Sequence, residues 1–264
     1  MADRRIVPGD ITMLTEAQIA KYHEDGYVIP NFIMPDDVIH SIQERHAALL
    51  KKHPEFRDYC AAILQYDEGF ADYCRNGEIL DMVEQVIGPD IALWNSSFFA
   101  KPARNGMATP WHQDGEYWPI RPLATCTVWL AVDDATPDNG CLRIIKGSHK
   151  DKDLLQHETN PRTDLTLNQE LLKTEYDESK AVDLVLKRGQ ISLHDVFLVH
   201  GSDPNTSPNP RRGMTMRFMP TSSVFDHQLA REQYNNMKVP DHSNRRIYLM
   251  RGVDRSGRNT LIYQ

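Results

Sequence analysis

Residues 125–145, TCTVWLAVDDATPDNGCLRII, hold two apolar runs separated by a turn. Over Thr125–Val132 the side chains alternate with the period of two that sends neighbours to opposite faces of a strand. Asn139-Gly140 is a dipeptide that reverses a chain between strands, and Cys141–Ile145 resumes as a second strand. Working outward, Ile91–Lys101 (IALWNSSFFAK), Val182–Leu186, Gln190–Val199 and Gly213–Phe218 have similar composition and are separated by Gly, Pro and Asn turns. Short strands in such a series predict a β-sandwich or barrel.

The first ninety residues follow helical spacing instead. Thr15 can cap a helix over Glu16 to about Asp25, with Gly26 just past its end. Pro35 opens a longer one through Ile39, Ile42 and Leu49 to about Lys52, and Gly77–Ile87 forms another before Gly88-Pro89 stops it. Residues 150–180 are polar and charge-rich, with weak helical periodicity around Leu167–Leu172, and fit an insertion or lid between strands. The expected organisation is one mainly β domain over 1–264 with flanking helices. It divides into a helical N-terminal part (1–90), a β core (91–220) carrying the 150–180 insertion, and a C-terminal extension (221–264).

A length of 264 residues suffices for one well-buried core. Hydrophobic residues at 40%, charged residues at 25% and a mean hydropathy of −0.54 argue against a disordered or membrane-embedded chain. Thirty Lys and Arg against thirty-seven Asp and Glu leave a charge of −7, so nucleic acid and anionic membranes find no general attraction. The opening MADRRIVPGDITMLTE lacks the apolar run of a secretory signal, and no stretch approaches the roughly 20 apolar residues of a membrane span. Cytoplasmic residence is the expectation. Cys60, Cys74, Cys126 and Cys141 form no C-x-x-C pair, which predicts reduced, partly buried thiols.

Eleven histidines are available as ligands or bases. The sharpest local feature is Trp111-His112-Gln113-Asp114: on extended backbone, His112 and Asp114 project from one face and can share a metal ion. His200, ending the apolar run Val196–Val199, can complete the two-histidine, one-carboxylate set that holds non-haem Fe(II) and leaves positions open. Arg211 follows eleven residues later, after the turn-rich GSDPNTSPNP. Its fork suits the far carboxylate of a dicarboxylic cosubstrate. The other His-X-Asp triplets fit less well. His23 and Asp25 lie about 200° apart on the first helix, and His149-Lys150-Asp151 opens a charged run that fits a solvated loop or a helix start. His194-Asp195 is adjacent on a strand and suits a capping pair or one that orients a ligand, while the histidines at 40, 46, 53, 157, 227 and 242 should mostly lie at the surface.

These blocks carry a family resemblance. WHQDGEYWPIRP (111–122), TCTVWLAVDDATPDNGCLRIIKGSHK (125–150) and HDVFLVHGSDPNTSPNPRRGMTMRF (194–218) resemble, in order and spacing, the phytanoyl-CoA dioxygenase family of Fe(II)- and 2-oxoglutarate-dependent oxygenases. The resemblance covers about residues 10 to 220. It implies a double-stranded β-helix, the jelly roll of cupin-like proteins, with helices around it and the active site in the barrel mouth. It also implies that His112, Asp114 and His200 hold Fe(II), that Arg211 and Ser202 grip the distal carboxylate of 2-oxoglutarate, and that Trp129 lies beside it. Lys101 matches a lysine that reaches the cosubstrate in some members; it equally fits a lysine snorkelling to solvent. Trp118 either packs near the cosubstrate or belongs to the core.

Alternation from Arg211 places Gly213, Thr215 and Arg217 on its face, with Met214, Met216 and Phe218 opposite. Arg217 can then pair with Asp114 or with an anionic substrate. Asn95, Ser97 and Lys101 share a face where a substrate could lie, and Tyr117 and Trp118 add aromatic groups near it. With O2 as cosubstrate, the expected reaction hydroxylates an unactivated C–H bond of a small polar or charged metabolite and releases succinate and CO2. A desaturase, an oxygenase of an acyl-CoA and a non-catalytic metal-binding jelly roll are the alternatives; a dicarboxylate clamp at Arg211 and Ser202 argues against the last.

Overall fold

In a computed structural model that describes residues 13–237 and 239–263, Thr15 opens the first helix, α1 (Glu16–Asp25), through a reciprocal cap with Gln18. The Gln18 N–H donates to Thr15 Oγ1 at 3.2 Å, and the Thr15 N–H donates to Gln18 Oε1 at 2.9 Å. Gly26 ends it at φ 85°, where glycine carries no steric penalty. Helix α2 (Asp36–Lys52) has Asp36 and Asp37 in its first turn and Lys51 and Lys52 in its last, matching its dipole. The short helices α3 (Ile63–Tyr66) and α4 (Phe70–Tyr73) lead to α5 (Gly77–Ile87), and α6 (His227–Met237) lies near the C-terminal end. No helix among the described residues is long and apolar enough to cross a membrane. Residues 1–12 of the charged opening segment lie outside the described residues.

In chain order the strands are β1 (Tyr27–Val28), β2 (Tyr59–Cys60), β3 (Ile91–Lys101), β4 (Thr109–His112), β5 (Ile120–Arg121), β6 (Cys126–Ala131), β7 (Leu142–Ile145) and β8 (His157–Thr159). There follow β9 (Gln169–Leu171), β10 (Ala181–Leu184), β11 (Ile191–Asp195), β12 (His200–Ser202), β13 (Arg211–Pro220), β14 (Val224–Phe225), β15 (Ile247–Arg251) and β16 (Leu261–Ile262). The major sheet runs β1-β11-β6-β13-β3-β15-β16, with β2 also along β3; the minor sheet runs β10-β7-β12-β4. Together they form a jelly roll, and among the described residues the sheets do not close into a barrel.

Alternation in the major sheet sorts the side chains. Val128, Leu130, Leu193, Met214, Met216 and Phe218 pack with Ile39, Ile42, Ile79, Met82 and Val83 of the helices. Each such buried side chain contributes about 1.5–3 kcal/mol. The intervening Thr127, Trp129, His194, Thr215 and Arg217 face a cavity between the sheets. All four cysteines are free and buried.

Several expectations need correction. The 150–180 segment contains the β8–β9 hairpin rather than a helix; Gln169 and Leu171 bury alternate positions, so the period there is two. The run expected as one strand over Gln190–Val199 breaks after Asp195, whose Oδ1 accepts the Phe197 N–H at 2.9 Å, and the chain crosses to the minor sheet at His200. His46, His149 and His242 are buried, and the His157 side chain is wholly so. Each meets a group far away in the chain that periodicity does not reveal.

His46 stacks on Phe98, with centroids 4.1 Å apart, and its Nε2 has no partner. Burial, with a smaller contribution from Arg212, lowers its pKa to about 4. The unfolded chain, with a histidine pKa near 6.5, therefore binds the proton first. This contribution to stability is complete above about pH 6.5 and is lost as pH falls toward 4. His46→Phe is expected to shrink the stability difference between pH 7.5 and pH 5 by about 2 kcal/mol, as read from urea midpoints.

Candidate active site

His112 and His200 are directly paired across β4 and β12, and their rings stand 4.2 Å apart. Each Nδ1 lies against the carbonyl two residues back: His112 on Pro110 O at 2.8 Å, His200 on Leu198 O at 2.9 Å. A carbonyl only accepts, so both Nδ1 atoms carry the proton and both Nε2 atoms offer a lone pair. Gln113 is extended, at φ −111° and ψ 131°, so Asp114 returns to the face of His112 before the chain turns into a 3-10 segment. Ligand atoms of His112, Asp114 and His200 lie within 4.8 Å of one another.

Asp114 is buried, and its Oδ2 has no hydrogen-bond partner. His194 Nε2 is 3.8 Å from Oδ2 and Arg217 Nη2 is 3.8 Å from Oδ1, both beyond hydrogen-bond length. Burial alone would raise the Asp114 pKa; Arg217, with His112, His194 and His200, outweighs it and holds the carboxyl well below its usual range. Burial and His112 lower His200 to about 3, so its ring is neutral at physiological pH. Two imidazoles that each turn Nε2 inward and an ionised carboxylate with an unsatisfied oxygen fit a divalent transition metal.

Arg211 starts β13. Its Nε and Nη2 donate to Gly140 O at 3.1 and 2.9 Å, and Nη1 donates to Phe99 O at 3.0 Å. Burial lowers its pKa to about 10, which still leaves it protonated at neutral pH. Three of the five guanidinium N–H groups are engaged, so two remain for a ligand. Its carbon sits 5.4 Å from the Trp129 ring centre. That ring lies over Gly213, where an added Cβ would stand only 2.0 Å from it. Ser202 lines the same cavity as His112, Asp114, His200, Trp129, Arg211 and Arg217.

A second cavity shares Phe99, Asp114 and Arg217 with the first and extends it. Its walls include Tyr59, Tyr117 and Trp118, then Leu167 and Asn168 from the insertion, and Val239, Pro240 and His242 from the C-terminal extension.

Three expected contacts fall elsewhere. Lys101 does not line either cavity: its Nζ donates to the carbonyls of Met107 at 2.5 Å, Asp203 at 2.7 Å and Ser202 at 3.4 Å. Its long stem carries the charge past the gap between the sheets and into these loops. Asn95 and Ser97 sit behind Arg217 and also line neither cavity. Asn95 Nδ2 donates to Ala61 O at 2.9 Å, and Ser97 Oγ accepts from Arg217 Nη1 at 2.6 Å. Trp118 lies 5.0 Å beneath the Arg217 guanidinium.

His194 is the inward member of the His194-Asp195 pair, while Asp195 binds Lys152 Nζ at 2.5 Å. Strand parity carries the missed signal: His194 and Arg217 both pair with Thr127, in one row across the sheet. His242 has no comparable signal in the sequence.

The profile of the family described as Phytanoyl-CoA dioxygenase (PhyH) matches residues 22–213. The human protein named "Phytanoyl-CoA dioxygenase, peroxisomal" is 28% identical over 237 residues, covering 79% of this chain and 69% of its own. Alignments with this and three further curated relatives span 47% to 69% of those proteins' lengths. The solved non-haem monooxygenase ThoJ, in its apo form, superposes with a TM-score of 0.70 at 23% identity, over 94% of this chain and 87% of its own. EvdO2 from Micromonospora carbonacea var. aurantiaca, complexed with 2-oxoglutarate, gives a TM-score of 0.63 at 22% identity, over 78% and 91%.

Two outcomes follow. Anaerobic calorimetry should find one Fe(II) equivalent per chain, with affinity falling at least 100-fold in Asp114→Ala and little changed in Asp195→Ala. Gly213→Ala should displace the Trp129 ring, costing about 2 kcal/mol and roughly 5 °C in Tm, with a shift in tryptophan emission.

Proposed function

The chain belongs to the phytanoyl-CoA dioxygenase family of Fe(II)- and 2-oxoglutarate-dependent oxygenases, and from that we propose that it hydroxylates an unactivated C–H bond of a small polar or charged metabolite. The observation that carries this is the pairing of His112 with His200, both Nε2 lone pairs free, beside the unsatisfied Asp114 oxygen. In this assignment those three side chains hold Fe(II). Arg211 holds the far carboxylate of 2-oxoglutarate with its two remaining N–H groups, Ser202 adds a hydroxyl, and Trp129 walls one side. When bound, iron and 2-oxoglutarate supply the oxidising chemistry, consuming O2 and giving succinate, CO2 and a hydroxylated product.

The protein's own part is positioning. The carbonyls of Pro110 and Leu198 fix the tautomer and aim of both histidines. Gly140 and Phe99 fix the guanidinium plane of Arg211, so little side-chain freedom is lost when a carboxylate docks. The rings of Phe99, Tyr117 and Trp118 give the outer cavity an apolar wall beside Asp114, against which a substrate's carbon skeleton would pack. A carboxylate at position 114 occupies the place that a halogenating relative would leave open, which favours hydroxylation. The narrow second cavity, with no basic cluster for a diphosphate, supports a small substrate over an acyl-CoA. Cytoplasmic residence belongs to the same proposal.

Anaerobic addition of Fe(II) and then 2-oxoglutarate is expected to produce a visible charge-transfer band, and admission of O2 to produce succinate; absence of both overturns the proposal. Arg211→Ala should weaken 2-oxoglutarate at least 50-fold in the same titration while changing Fe(II) affinity less than threefold.

A further inference from the structure

Arg217 is 5% exposed and lines both cavities. Only its Nη1 is hydrogen bonded, to Ser97 Oγ at 2.6 Å. Its Nε has no partner, and its Nη2 stands 3.8 Å from Asp114, too far for a hydrogen bond. Trp118 holds the guanidinium plane from one side at 5.0 Å. A planar edge of two N–H donors, Nε and Nη2, is thus left unsatisfied at the junction of the cavities, and a buried donor in that state costs free energy unless a ligand supplies an acceptor.

His242 stands in the wall of the outer cavity. Arg245 Nε and Nη2 approach its Nδ1 at 3.1 and 2.8 Å. An arginine only donates, so Nδ1 is the acceptor and the neutral ring keeps its proton on Nε2. Arg245 is itself 6% exposed, its Nη1 has no partner, and among the described residues no carboxylate lies within ion-pair distance of it.

Charge decides what these donors await. Among the residues lining the two cavities, Arg211 and Arg217 bring two positive charges and Asp114 one negative. Ferrous iron and the 2-oxoglutarate dianion cancel. One positive charge remains on the lining, at the buried Arg217. A monoanion balances it, and the parallel N–H pair matches the two oxygens of a carboxylate.

We propose that the substrate is a small monocarboxylate, its carboxylate seated on the Nε–Nη2 edge of Arg217 with the His242 Nε2–H as a further donor, and its carbon skeleton between Phe99, Tyr117 and Trp118. This rests on the oxygenase assignment above and specifies the substrate class of that same site.

The test uses the Fe(II)-loaded protein under anaerobic conditions with saturating 2-oxoglutarate. Monocarboxylates from acetate to 3-phenylpropionate, each paired with its neutral amide, are titrated while the visible charge-transfer band is followed. The carboxylates are expected to perturb the band, the best at least tenfold tighter than its amide. Arg217→Gln should bring each pair within twofold, Arg217→Lys should restore part of the preference, and His242→Phe should weaken carboxylates about fivefold with the band retained. Failure of every carboxylate to bind, equal binding of acid and amide, or displacement of 2-oxoglutarate by the acids would overturn the inference while leaving the oxygenase assignment standing. A missing band before any acid is added would instead reject that assignment.

Discussion

A carboxylate closed off from water, with one oxygen unsatisfied, is the constraint around which this protein is arranged. Asp114 meets Arg217 and His194 only at 3.8 Å, so its charge is moderated electrostatically but not consumed by hydrogen bonds. A buried ion left in that state costs several kcal/mol, and its compensation must come from rigid surroundings or from a cation that binds there. The surroundings supply rigidity: both histidine rings are tied to their own backbone, and β12 lies hydrogen bonded between β4 and β7. Local stability is spent at one point so that three donor atoms face a common centre.

The buried cations nearby are divided by task. Lys101 and Arg211 pair in register on β3 and β13, yet only Arg211 faces the cavity. Lys101 instead gathers the carbonyls of Met107, Ser202 and Asp203, and Asn205 Nδ2 ties Lys101 O, Pro102 O and Asn209 O from the other side. The loops bearing these groups are thereby fastened together beside the Arg211 end of the cavity. Burial, with the charge of Arg211 beside it, lowers the pKa of this lysine well below the ordinary range.

What could be read from the sequence was local in origin. The Thr15–Gln18 cap, the Gly26 stop, the limits of β3 and the alternation along β13 each depend on residues a few positions apart. The His112–Asp114 pair was legible for the same reason, since spacing on an extended chain fixes a common face. The rest needed distant partners. His46 is explained by Phe98, His149 by the carbonyl of His23, and His242 by the edge of Trp94. The division between His194 and Asp195 became visible only when register set His194 in line with Thr127 and Arg217. Asn95 and Ser97 were correctly placed on one face, but Ala61 and Arg217 claim their polar atoms.

The two cavities are also built from different parts of the chain. Phe99 and the strands of the two sheets carry most of the inner one, whereas Leu167, Asn168, Val239, Pro240 and His242 of the outer one come from the insertion and the C-terminal segment. Part of the outer wall is therefore separable along the sequence from His112, Asp114 and His200, although Phe99, Asp114 and Arg217 serve both cavities. Exchanging those two segments would alter one side of the outer cavity while His112, Asp114 and His200, carried by β4, the turn after it and β12, stay in place.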